Sequence, residues 1–77
     1  MAVKDATWED RAKRFLKAEL KRAEVSYAEL AKRLEDHGLK ETEASIANKL
    51  SRGTFAATFF LASLTAIGVT AVPLAEL

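Results

Sequence analysis

From Thr54 to Ala75 the chain carries no charged side chain, while residues 1–53 hold all 12 Lys and Arg and 10 of the 11 Asp and Glu. That asymmetry leaves few ways to fold. An uncharged helical segment must be the centre of a core, a subunit interface or a membrane span, because its surface needs an apolar surround on every side. The stretch of 22 residues is long enough to cross a bilayer. Lys49 and Arg52 just before it fit a positive-inside anchor. Two features weigh against a span. The stretch contains four Thr, Ser63, Gly68 and Pro73. The charged part also needs an apolar partner, and only this segment supplies enough Phe, Leu and Ile. A membrane location is therefore not the expectation.

Helical periodicity accounts for the rest of the chain, with no strand alternation and no internal repeat. Thr7 can cap a first helix, with Asp10 in the third helical position as an imperfect capping box. Trp8, Ala12, Phe15, Leu16, Leu20 and Ala23 then share one side, and Lys13, Arg14, Lys17 and Lys21 the other. Glu19 falls on the apolar side. An unpaired buried carboxylate is costly, so Glu19 calls for a cationic partner, Arg52 or Arg33. The second helix has the clearest start: Ser26 and Glu29 make a Ser-x-x-Glu capping box, and Val25 with Leu30 has the spacing of a hydrophobic staple. Gly38 is its natural stop. Thr42 caps a third helix, on which Ile46, Ala47 and Leu50 face one way and Ser45, Asn48, Lys49 and Arg52 the other. A fourth runs from Phe55 to Ile67. The sequence thus predicts an all-α bundle of four short helices, about 8–23, 27–37, 43–52 and 55–67, in one domain over residues 1–77.

Helices two to four resemble the Cro- and repressor-type helix-turn-helix family. The resemblance rests on Ser26-Tyr27-Ala28-Glu29-Leu30-Ala31, then Ile46-Ala47-Asn48-Lys49-Leu50-Ser51-Arg52-Gly53, then Phe60-Leu61-Ala62-Ser63-Leu64-Thr65-Ala66-Ile67-Gly68-Val69. Residues 8–69 as a whole are also similar to a small, functionally uncharacterised bacterial family of this length. The chain departs from the repressor pattern between Glu35 and Glu43, where it is several residues longer and carries Asp36, Glu41 and Glu43. A longer turn shifts the reading helix relative to its partner.

What the resemblance implies is duplex DNA binding in a transcription-associated role. Lys40, Ser45, Asn48, Lys49 and Arg52 would face DNA, since Asn reads adenine and Arg or Lys reads guanine. Lys13, Arg14, Lys17 and Lys21 would contact phosphates. The plainer alternative is that both polar stripes are ordinary solvated faces. A net charge of only +1 is low for a DNA-binding domain. A second possibility is a protein-interaction module on the same fold. The apolar surplus predicts a homodimer through Phe55, Phe59, Val69, Val72 and Leu74. The alternative use of the tail is to fold over helix four within one chain. An enzyme is not expected, nor any cofactor or small-molecule substrate. There is no Cys, one His, no phosphate loop and no metal-ligand spacing. His37 near a helix end fits a capping role, and Trp8 and Tyr27 fit core edges. No signal-peptide pattern opens the chain, so a cytoplasmic location is expected.

Overall fold

The computed structural model describes residues 6–77, so the first five residues of the expected domain lie outside the described residues. The chain forms α1 (Trp8–Ala23), α2 (Tyr27–Asp36), α3 (Glu43–Arg52) and α4 (Ala57–Ala66), followed by a short 3-10 turn at Leu74–Glu76. No strand occurs among the described residues, and the all-α expectation holds.

Each helix starts where a side chain can satisfy its free amides. The Asp10 amide donates to Thr7 Oγ1 at 3.1 Å, and the Glu29 amide to Ser26 Oγ at 3.1 Å. On α2 the box closes on one side only. The Glu29 carboxylate turns along the helix and accepts from Arg33 Nε at 3.1 Å. The staple forms, with Val25 and Leu30 both buried. On α3 the box is complete and is built with Ser45: its amide donates to Thr42 Oγ1, and its hydroxyl accepts from the Thr42 amide at 2.9 Å. The fourth helix is shorter than the expected 55–67. Phe55 and Ala56 are extended, and Ala56 offers no capping oxygen.

α1 and α2 each lie against both α3 and α4. Leu16 and Leu20 of α1, Leu30 and Leu34 of α2, Ile46 and Leu50 of α3, and Phe59 and Leu64 of α4 meet in one core. An aromatic cluster joins α1 to α4. Phe15 lies 6.3 Å from Phe60, Phe55 stacks on Phe60 at 5.9 Å, and Phe55 meets Phe59 at 5.4 Å.

Several expectations are corrected here. Phe59, assigned to a dimer interface, is 2% exposed and belongs to the core of its own chain. Phe55, Val69 and Val72 are half-buried and pack on that core, and only Leu74 of the expected interface is well exposed. The tail returns to its own chain, where Val69 and Val72 pack on the core and Arg11 Nε of α1 donates to the Leu77 carbonyl at 2.8 Å. Trp8 is not a core edge. It is 65% exposed and packs its ring under the Arg11 guanidinium at 4.1 Å. Glu19 pairs with neither Arg52 nor Arg33. It binds Arg22, one turn away on its own helix, at 3.0 Å. Arg22 lies three residues further along the same helix, so it reaches the carboxylate without any contact between helices.

Ser63 of α4 is fully buried, and its hydroxyl has no partner among the described residues. A buried unmade hydrogen bond costs about 1–3 kcal/mol. Ser63→Ala removes the unpaired group and keeps the volume nearly constant. It is expected to raise the melting temperature by several degrees, since about 1 kcal/mol corresponds to roughly 4–8 °C in a domain of this size. A fall of several degrees in a circular-dichroism melt would show the hydroxyl to be satisfied.

Candidate nucleic-acid interface

Lys13, Lys17 and Lys21 are four residues apart, so they form one row on α1, each about 6 Å from the next along the axis. The fold fixes where the row points. Lys13 Nζ donates to the Ser51 carbonyl at 3.3 Å, which ties one end of the row to the last turn of α3. Lys17 and Lys21 share a shallow recess with Leu20, Val25, Ser26 and Tyr27, which places the other end beside the start of α2. The opposite flank of α1 faces the tail across a groove of about 1050 Å³, lined in part by Arg11, Arg14 and Arg22. Arg14 therefore stands on the groove side and not in the lysine row. Asp10 pairs with Lys13 at 3.6 Å. Although partial desolvation pushes the Asp10 carboxyl upward, hydrogen bonds with Thr7 and the charges of Lys13 and Arg14 outweigh it and hold the group below the usual carboxylate range.

The five side chains expected to read bases separate into two groups. Lys40, Asn48 and Arg52 are exposed, with no bonded partner among the described residues. Ser45 and Lys49 are engaged by Glu41 in the α2–α3 connection. Ser45 Oγ donates to Glu41 Oε1 at 2.6 Å, and Lys49 Nζ donates to the same oxygen at 3.0 Å. Lys49 also lies over the Phe59 ring at 5.5 Å, so its stem covers the core. Glu41 is only 11% exposed. As a member of the acidic set Asp36, Glu41 and Glu43, Glu41 carries no expected partner in sequence. The signal was present: Glu41, Ser45 and Lys49 follow one another at intervals of four.

Two further contacts were not legible, because they join residues far apart in sequence. Lys13 holds the carbonyl end of α3, and Arg33 Nη1 of α2 donates to the Ala66 carbonyl at the end of α4, at 3.3 Å. Each brings a cation to the negative end of a helix dipole. For α4 this matters, since its own last turn holds no basic residue. The connection between α2 and α3 spans six residues, 37–42. It is longer than the turn of three or four residues typical of a helix-turn-helix. None of the described helices is long and apolar enough to cross a membrane. No group of three or more metal-ligating side chains occurs among the described residues.

A family model described as a domain of unknown function, DUF6471, matches residues 8–72. The chain belongs to the DUF6471 family. The matched span takes in α1 to α4, with the lysine row and the Glu41 contacts, and ends before the 3-10 turn. No curated protein and no solved structure matches the chain.

Proposed function

We propose that this domain binds duplex DNA, in a cytoplasmic, transcription-associated role, through a phosphate-contacting face built from α1, the start of α2 and the outer side of α3. The observation that carries the reading is the lysine row, which runs from the last turn of α3 to the amide end of α2. A strip of cations beside free helix amides is what a nucleic-acid backbone binds. Lys17 and Lys21 are exposed, and Asn48 and Arg52 stand free on α3, four residues apart and so on one side. Asn48 and Arg52 are the side chains for base edges, and Lys40 stands at the far end of α3. The helix-turn-helix resemblance supports the same arrangement, with α3 as the reading helix. Arg14, on the groove side, has no part in it.

The homodimer belongs to the same proposal in altered form. With Phe59 in the core, a second copy has Leu61, Leu74 and Trp8 to use, which are 58%, 70% and 65% exposed. Two copies double the number of weak phosphate contacts.

Fluorescence anisotropy on a labelled random-sequence duplex, at low and near-physiological salt, tests the reading. Affinity is expected to fall steeply with salt. Lys17→Ala/Lys21→Ala is expected to flatten the log–log slope by about 2, since each phosphate contact contributes about 0.9. Both side chains are exposed, so the fold is expected to persist. Repeating the titration at rising protein concentration reads the second copy as a sigmoidal rise. Absence of binding at low salt, or binding indifferent to the double substitution, sinks the reading and leaves a protein-interaction module on this fold.

A further inference from the structure

Glu41 sits just before α3, one residue ahead of its cap Thr42. One of its carboxylate oxygens accepts from a hydroxyl at 2.6 Å and from an ammonium at 3.0 Å. A hydroxyl and a lysine converging near the amide end of a helix are the donors that a phosphate oxygen recruits from a protein. Here an internal carboxylate holds them. Lys49 keeps 29% of its side chain exposed. Its sequence neighbour Asn48 is exposed, and so is Arg52, less than one turn further on. Lys49 thus stands at the edge of the free face of α3, and what neutralises it is Glu41.

We infer that Glu41 is a built-in competitor for nucleic-acid phosphate, which holds Lys49 and Ser45 out of a contact they would otherwise make. The inference rests on the DNA-binding reading and specifies how that face is regulated. The exchange is chemically even: one anionic oxygen leaves the two donors and another takes its place, with no buried charge stranded. The connection that carries Glu41 is short and lies at the surface, flanked by exposed Lys40 and Thr42. Glu41 can therefore swing out without disturbing Ile46 or Leu50. A carboxylate that merely anchored the turn would give the same distances, so the test must separate anchoring from masking.

Glu41→Gln does so. The amide oxygen still accepts from Ser45 and Lys49, so the turn stays anchored, while the competing charge is gone. Wild type, E41Q and the double variant E41Q/K49M are titrated with the same random-sequence duplex. E41Q is expected to bind on the order of tenfold more tightly at low salt, with a slope steeper by about 0.9, one added phosphate contact. E41Q/K49M removes both charges and keeps an apolar stem over Phe59. It is expected to return to wild-type affinity, and it keeps the question answerable if E41Q alone melts below the assay temperature. If wild type binds through the lysine row and E41Q binds no better, masking is wrong and the DNA reading stands. If E41Q/K49M binds about tenfold more weakly than wild type, Lys49 already touches phosphate and masking is wrong. Should neither wild type nor E41Q bind, both readings fall together.

Discussion

A Phe59→Ala variant is expected to lose roughly 3–5 kcal/mol of stability, the range for truncating a fully buried aromatic side chain. The ring is 2% exposed, touches Phe55 at a centroid distance of 5.4 Å, and lies under the Lys49 ammonium at 5.5 Å. Removing it leaves a cavity between α4 and its neighbours and strips the apolar surface from the Lys49 stem. A domain of this length has about 4–12 kcal/mol in total. The loss is therefore expected to take between about a quarter and all of that stability. Urea unfolding followed by far-ultraviolet circular dichroism measures the loss. Trp8 fluorescence is a poor substitute, because the indole is already exposed in the fold. The loss must be the same at every protein concentration, since the ring serves its own chain. A loss that shrinks on dilution, or one under about 1 kcal/mol, would place the ring at an interface between copies instead.

That residue also shows where sequence reading succeeds and where it stops. The starts of α1, α2 and α3 were legible because Thr7, Ser26 and Thr42 each carry an oxygen that meets the amide three residues on. Those contacts are local, so spacing alone reveals them. The core faces of α1 to α3 were legible for the same reason, as a period of 3.6. The fourth helix has no such contrast. Apolar all round, it gives no sign of which side is inward, so Phe59 and Phe55 were placed outward when they pack inward. Its start was set two residues early, because no capping residue marks it. α1 ends on Glu24 in the left-handed region at φ 58°, a position where glycine is the usual signal. Glu19 and Arg33 exchanged expected partners for local or carbonyl ones, because a long arginine has several acceptors in reach and periodicity cannot rank them. Of the candidate face, the lysine row was legible, whereas the four-residue spacing of Glu41, Ser45 and Lys49 hints at the Glu41 contacts without establishing them. The former needs only one helix, whereas the latter needs the path of the α2–α3 connection.

Gly53→Ala is the other substitution expected to damage the fold severely, and it tests how α1 meets α3. Gly53 ends α3 with φ 73°, where a side chain costs roughly 1 kcal/mol or more on conformation alone. Gly38 and Gly68 also have positive φ, at 83° and 89°, but a methyl group at either would meet open space. At Gly53 it would lie 2.8 Å from the Glu9 carbonyl oxygen and 3.1 Å from the Glu9 carbonyl carbon and Cβ. That obstacle is backbone in the first turn of α1, so no rotamer relieves it. The start of α1 has to lift from the end of α3, which also parts Lys13 from the Ser51 carbonyl. Gly38→Ala and Gly68→Ala are each expected to lose about 1 kcal/mol, and Gly53→Ala about 3 kcal/mol or more. In melting temperature this is roughly 4–8 °C against 12–24 °C. The three variants measured side by side separate strain from collision, since strain is common to all. If Gly53→Ala melts with the other two, α1 yields at its first turn without loss, and the seam between α1 and α3 does not hold the lysine row in place. If it melts far below them, the seam is rigid. The Gly53→Ala protein, kept cold enough to remain folded, should then also show a shallower salt dependence on duplex DNA than Gly38→Ala does.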